Sequence, residues 1–220
     1  MKIAVLGTGM VGRALAARLA ELGHAVTVGT RSPEETLART GDDAFAAWAA
    51  ANPAVGLAAF PDAASAAELA INATSGGAAL EVLALAGQEN LAGKVLVDIA
   101  NPLDFSAGMP PTLFVKDTDS LGEQIQRAHP DALVVKTLNT LNASLMADPA
   151  KLGEASTVFV SGNDAAAKAT VSGLLAEMGH QDIIDLGDIT TARGTEMLLP
   201  VWLRLWGALG TPEFNFKIVR

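Results

Sequence analysis

Met1–Gly12 reads MKIAVLGTGMVG, and the rest of the chain can be placed by reference to it. Lys2 to Leu6 is a short apolar run rich in Ile and Val, as expected of a strand buried on both faces of a parallel sheet. It runs straight into Gly7-Thr8-Gly9-Met10-Val11-Gly12, a G-x-G-x-x-G. In a dinucleotide site Gly7 permits the tight turn off the strand, Gly9 lets the backbone approach a pyrophosphate, and Gly12 lets the next helix pack closely. From Met10 onward Val11, Leu15, Leu19 and Leu22 recur at helical spacing, so the loop opens a helix whose positive, unpaired N–H end meets the phosphates. Gly23-His24 ends that helix before a second strand, Ala25 to Gly29. Strand, glycine loop and helix together supply the context the motif requires; a glycine turn without ligand is the alternative.

The identity of the dinucleotide is read just after the second strand. An NAD site places an Asp or Glu there to bond the ribose hydroxyls, whereas this strand ends in Thr30-Arg31-Ser32. A guanidinium flanked by two hydroxyls suits a 2′-phosphate, which a carboxylate would repel, so NADPH is expected. A solvated surface arginine is the other reading of Arg31.

Composition narrows the chemistry further. The 220 residues are half hydrophobic, enough for one large α/β domain, and carry a net charge of −9 that argues against nucleic acid. No apolar run reaches the roughly 18 residues of a membrane span, and the first is cut at Gly7, too early for a secretory signal. A soluble, cytoplasmic protein is expected. With no cysteine, disulfides, thiolate catalysis and cysteine–metal sites are excluded. With no tyrosine, the tyrosine–lysine proton relay of the short-chain dehydrogenases is excluded as well. His24, His129 and His180 lie far apart near predicted helix ends; they are read as surface or capping residues, and no metal site is expected.

Strand and helix signals alternate along the whole chain. Helices are expected at Pro33–Arg39, with Ser32 as N-cap, and at 42–51, where Phe45 and Trp48 pack as core. Further strands are expected at Val55–Phe60, Leu69–Ala73, Lys94–Ala100, Ala132–Lys136, Thr157–Ser161 and Asp182–Leu186. Helices are expected at Pro61–Ala67, Leu121–His129 and Asp164–Met178, and Leu103 to Thr118 reads as a long loop. This pattern predicts a doubly wound parallel sheet, a Rossmann fold. The fourth and fifth strands deliver Thr74-Ser75-Gly76-Gly77 and Asn101-Pro102 to carboxyl ends, where ligands sit in such sheets. Thr74 and Ser75 may equally be read as caps for the following helix. Asp98, inside an apolar strand, reads as a buried hydrogen-bonding group rather than an acid catalyst. The sixth strand delivers the polar run Lys136 to Asn142. A helix expected over Thr190–Leu209 is apolar nearly all round and must be buried, against the sheet and against a second subunit. Residues 1–188 are thus expected to form the dinucleotide-binding domain, and 189–220 a small helical extension that completes the acceptor site and the dimer interface.

With Gly7–Gly12, Thr30-Arg31, LVDIANPLD at 96–104 and VVKTLNTLNASLM at 134–146 in view, the chain resembles the NADPH-dependent reductases of the deazaflavin coenzyme F-420 over nearly its whole length. It is similar in the same blocks to the oxidoreductase domain of the six-transmembrane ferric reductases. The resemblance implies a Rossmann domain with a small C-terminal part, a homodimer, and hydride transfer between NADP(H) and a deazaflavin or flavin. It implies that Thr8, Met10, Val11, Thr30, Arg31 and Ser32 hold the phosphates and adenosine ribose. Ala73, Thr74 and Ser75, with Ala100, Asn101 and Pro102, would line the nicotinamide end. The acceptor would lie above it, against Lys136, Leu138, Asn139 and Met197. A second base often follows the strand-end arginine by one helical turn; here that place is Glu35.

Two other functions stay open at this point. One is an NADP-dependent dehydrogenase of another small substrate, such as a 3-hydroxyacid or an imine, although such enzymes carry a large helical second domain for which the chain is too short. The other is a non-enzymatic NADPH-sensing module.

Overall fold

The structure, a computed structural model, describes residues 1–41 and 44–220. Strand β1 (Lys2–Leu6) passes through the glycine turn into α1 (Met10–Glu21) and β2 (Ala25–Thr30); α2 (Pro33–Ala38) and α3 (Phe45–Ala51) lead to β3 (Gly56–Ala59). Then come α4 (Phe60–Ala66), β4 (Leu69–Asn72), α5 (Ala79–Ala86), α6 (Gln88–Leu91) and β5 (Val95–Asp98). Short strands β6 (Leu103–Asp104) and β7 (Thr112–Leu113) precede α7 (Leu121–Ala128) and β8 (Leu133–Thr137). The chain continues through α8 (Ala143–Ala147), β9 (Thr157–Gly162), α9 (Ala165–Met178), β10 (Asp182–Gly187), α10 (Ala192–Met197) and α11 (Leu199–Leu209). The start of the helix expected at 42–51 lies outside the described residues; Phe45 and Trp48 stack on it with ring centroids 5.1 Å apart.

Eight strands form one sheet in the order β10-β9-β8-β5-β4-β1-β2-β3. From β1 the chain winds outward in one direction to β2 and β3, then returns to β4 on the other side. The crevice between β1 and β4 is therefore the switch point, where ligands bind in open α/β sheets. Helices cover both faces. Leu15 and Leu19 of α1, Leu145 of α8 and Val171 of α9 enter one apolar core. Phe60, Leu83, Leu91 and Ile125 build the other from α4, α5, α6 and α7.

The doubly wound, mostly parallel sheet stands as expected, and three details depart from expectation. First, β8 and β9 pair antiparallel. The connection from Thr137 to Thr157 is long enough for a parallel return, but it packs α8 beside α1 instead of crossing the sheet. The chain therefore re-enters at the carboxyl end of β8. Second, the loop from Leu103 contains an antiparallel pair, β6 with β7. Third, the helix expected over Thr190–Leu209 is two helices, broken at Leu198, with Pro200 in the first turn of α11. Proline lacks an N–H and starts a helix more readily than it continues one. Ile189 and Ala192 belong to the core shared with α4, α5 and α7, so the C-terminal segment begins as part of the main body. The chain covers Trp202 itself by stacking Phe214 on it at 5.2 Å. Among the described residues, no helix is long and apolar enough to cross a membrane.

Candidate active site at the sheet switch point

At the β1–α1 turn two glycines are required by packing and one by what lies in front of it. Gly7 has φ +126°, and a Cβ there would stand 2.6 Å from the Ala73 carbonyl oxygen; one at Gly12 would stand 2.2 Å from that of Gly7. At Gly9 a Cβ would meet nothing within 4 Å. Gly9 is the N-cap of α1 and offers no side chain to its first N–H groups, and the first turn carries no acid. An uncapped, positive helix end facing open space, with no Cβ in the way, fits a pyrophosphate.

The opposite wall is made by the loops after β4 and β5. Thr74 does not cap the helix after it; its Oγ1 donates to Asn72 Oδ1 at 2.6 Å, and Ser75 makes no side-chain cap either. The two loops touch through backbone: a Cβ at Gly76 would lie 2.0 Å from the Asn101 carbonyl oxygen, a constraint that the glycine count alone did not reveal. Together they enclose a cleft of about 280 Å³ with Met10, Val11, Ile99, Leu103, Phe105, Leu141, Asn142, Ala143 and Met146. Ala73, Thr74, Ser75, Ala100 and Asn101 line it as expected, while Pro102 is buried behind it. No acid, base or other ionisable side chain lines this cleft among the described residues.

The three residues at the close of β2 divide their tasks. Thr30 is buried, its hydroxyl 2.7 Å from that of Thr36, so it is not free to bond a ribose. Ser32 caps α2 by accepting from the Glu35 N–H at 3.3 Å. Arg31 is left with its charge outward, 59% exposed, its Nη2 2.7 Å from Glu81 Oε1. Thr8, Arg13, Thr36 and Arg39 border a second cleft of about 670 Å³ beside Gly9. Arg39, the C-cap of α2, stands one helical turn beyond Glu35.

The comparisons with known proteins agree with this geometry. A family profile described as NADP oxidoreductase, coenzyme F420-dependent, matches residues 2–102. A solved structure from Arthrobacter sp. FB24, of a protein assigned as an F-420-dependent NADP reductase, is 67% identical, covers 100% of both chains and superposes with a TM-score of 0.99. The chain belongs to the coenzyme F-420-dependent NADP oxidoreductase family. It is an NADP-dependent oxidoreductase. The rat metalloreductase STEAP3 is 31% identical over 207 residues, which is 91% of this chain but only 38% of that protein. An imine reductase of Streptomyces aurantiacus, 22% identical with a TM-score of 0.63 over 94% of this chain and 65% of its own, shares the fold.

In this family member the residues expected against the acceptor lie elsewhere. Lys136 is wholly buried, paired with Asp98 and Glu196 at 2.8 Å each, and cannot touch a ligand. It points inward because β8 is central and covered on both faces. Leu138, one of two non-glycine residues with positive φ among those described, turns the chain out of β8 while its side chain enters the core. Asn139 is buried and works from behind the wall, donating to Asn101 Oδ1 and to the Thr195 carbonyl oxygen, each at 3.0 Å. Met197, at the exposed end of α10, does not line the cleft; Leu141, Asn142, Ala143 and Met146 take that place because α8, missed in the sequence, packs beside α1. Asp98 is the buried hydrogen-bonding group expected, accepting from Asn72, Ala100 and Lys136. His129 is the C-cap of α7, as the capping reading expected, but both it and His180 are buried, and burial lowers the pKa of both. No group of His, Asp or Glu could hold a metal among the described residues.

Proposed function

We propose that the chain passes a hydride between NADP(H) and a deazaflavin of the coenzyme F-420 type, bound over the nicotinamide in the 280 Å³ cleft. The observation that carries this reading is the absence of any acid or base in the cleft lining. Reducing a carbonyl or an imine calls for a proton donor within hydrogen-bond reach. Passing a hydride between two stacked rings calls for alignment at roughly 3–3.5 Å and little else. The dehydrogenase of another small substrate is disfavoured on this ground.

Bound NADPH supplies the hydride. On the protein side, Gly7–Gly12 and the first N–H groups of α1 receive the pyrophosphate. Arg31 and Arg39 take the 2′-phosphate by charge-assisted hydrogen bonds, with Thr8 beside them. Ala73–Ser75 and Ala100–Asn101 orient the nicotinamide. Leu141 and Met146 keep water from the reacting faces, and Phe105, the one aromatic side chain in the lining, offers the acceptor ring a plane to stack on. Phosphate and acidic groups on the acceptor have few free bases to meet, since Arg193 is held by Glu123 and Lys217 by Glu154. Ring contacts therefore dominate its recognition.

The test mixes the purified protein with NADPH and, separately, coenzyme F-420, a simple flavin and ferric citrate in a stopped-flow spectrometer. Rapid NADPH oxidation with the deazaflavin is expected. If the deazaflavin reacts no faster than without protein while flavin or ferric ion is reduced rapidly, the acceptor is one of those. If no acceptor is reduced although NADPH binds, the chain is a sensor.

A homodimer through α11 belongs to the same reading. Val201, Trp206 and Leu209 stay exposed there, and Trp206 lines a cleft with Leu203 and Met109.

A further inference from the structure

The cleft walls hang from a buried polar cluster that touches no ligand space. Lys136 Nζ donates to Asp98 Oδ2 at 2.8 Å and to the Ala100 carbonyl oxygen, and pairs with Glu196 Oε1 at 2.8 Å. Asp98 Oδ1 accepts from the Ala100 N–H at 3.2 Å and from Asn72 Nδ2 at 2.8 Å. The Ala100 residue is thus gripped at both its N–H and its carbonyl. The same cluster reaches the neighbouring loop of that wall, because Asn72 Oδ1 accepts from the Thr74 hydroxyl. Behind it, Glu196 accepts from the N–H groups of Leu121 at 2.8 Å and Gly122 at 3.0 Å, fixing α10 to the start of α7.

A buried ion cluster is a weak means of stabilising a fold, since apolar residues of similar volume often do as well or better. Burial alone would push the Lys136 ammonium down, but Asp98 and Glu196 outweigh it and hold its pKa above the ordinary lysine value, so it stays charged. What the charges supply here is direction: two opposed hydrogen bonds on one backbone unit at the edge of the reacting space. Hydride transfer is sensitive to placement, and a 1 Å error in such a geometry costs on the order of a hundredfold in rate.

We propose that Lys136 is the positioning residue of this enzyme, setting the place of the Thr74 and Ala100 loops in their shared wall, and so the height of the nicotinamide, through Asp98 and the Ala100 carbonyl. This rests on the reading of the cleft given above. Glu196 serves the same cluster from the far side, where its loss affects the fold and not the wall.

The test compares Lys136→Met and Glu196→Gln in the full chain. For Lys136→Met, kcat with NADPH and coenzyme F-420 should fall by roughly 30- to 100-fold, while the Kd for NADP+ measured by calorimetry stays within about threefold, since its phosphate cradle is made by other residues. Amide hydrogen exchange over Ile99–Leu103 in the protein without nucleotide should quicken. Glu196→Gln should lower Tm yet leave kcat within about threefold well below it, because both holds on Ala100 persist. The proposal is overturned if Lys136→Met keeps its kcat and its exchange pattern, if Kd rises in step with the loss of kcat, or if Glu196→Gln is slowed equally. Should Lys136→Met not fold, Asp98→Ala, which removes the acceptor of the Ala100 N–H while leaving Lys136 paired with Glu196, must show the same split and the same quickened exchange. If the parent protein itself fails to bind NADP+, the reading of the cleft falls first; the exchange result is independent of the acceptor.

Discussion

Arg31 and Glu81, fifty positions apart, form an ion pair at the outer end of the cleft, Nη2 to Oε1 at 2.7 Å. Both side chains are more than half exposed, so the pair itself is worth little and is readily exchanged for a phosphate. Glu81→Gln should tighten NADPH binding by about two- to fivefold and leave NADH unchanged, since only a 2′-phosphate competes with Glu81 for the guanidinium. Arg31→Glu should weaken NADPH by roughly 10- to 100-fold and NADH hardly at all. Arg39→Ala should show the same selectivity to a lesser degree. Titration calorimetry with both nucleotides measures all three, and equal losses for NADPH and NADH would sink the 2′-phosphate assignment.

The glycines of the first turn separate binding from folding. Gly9→Val should abolish binding of either dinucleotide while the far-ultraviolet circular dichroism and Tm stay near the parent values, because a side chain there enters empty space. Gly12→Ala should instead destabilise by several kcal/mol, since its Cβ would sit inside contact distance of the Gly7 carbonyl. A Gly9 variant that unfolds would show that this glycine serves the backbone.

Phe105 is 57% exposed although it lines the cleft, an apolar ring awaiting a plane. Phe105→Ala should raise the KM for the acceptor about fivefold, matching roughly 1 kcal/mol of lost stacking, and leave the Kd for NADP+ unchanged. An unchanged acceptor KM would remove the hairpin from the acceptor site.

Stability should fall on mild acidification. His180 is buried with Nε2 3.0 Å from the Met146 carbonyl oxygen, and burial, opposed by that bond, lowers its pKa below the ordinary 6.5. Below that value the unfolded chain takes up a proton that the folded one refuses, so stability is complete above it and declines as pH falls through the window beneath. His129 is lowered by burial in the same direction. The urea midpoint should drop between about pH 7 and pH 5, and His180→Gln should flatten part of that drop while still donating to Met146. An unaltered slope would show that His180 titrates normally.

Trp206 is 40% exposed on α11 beside Val201 and Leu209. Trp206→Lys should convert a dimer to a monomer in sedimentation at micromolar concentration without changing NADP+ affinity. A parent protein that is already monomeric would refute the dimer.

Where local pattern decided the structure, the sequence was readable. The G-x-G-x-x-G lies between a strand and a helix, the Ser32 cap stands where its spacing put it, and both wall loops leave the carboxyl ends of their strands. What escaped depends on contacts between distant segments. Lys136 reads as an exposed polar residue at a strand end, and only Asp98 and Glu196, 38 and 60 positions away, make it interior. Thr30 looked available until Thr36 claimed its hydroxyl, and α8 is too short to leave a helical period. Arg39 lies outside the motif, and it borders the cleft beside Gly9 because the end of α2 lies across that cleft from the start of α1.

The seat of Glu196 has a consequence for the order in which the chain matures. As synthesis proceeds, the residues proposed above to hold the dinucleotide have emerged once Asn101 is out, and β8 can add to the nascent sheet soon after. At that stage the ammonium of Lys136 faces Asp98 with its second counter-charge still unmade, and the first N–H groups of α7 have no acceptor from α10. Such a pairing is costly to bury incompletely, and larger chains fold through partly packed intermediates. The cleft walls should therefore be the last part of the molecule to become native, and nucleotide should be captured by the newborn chain before it can be used.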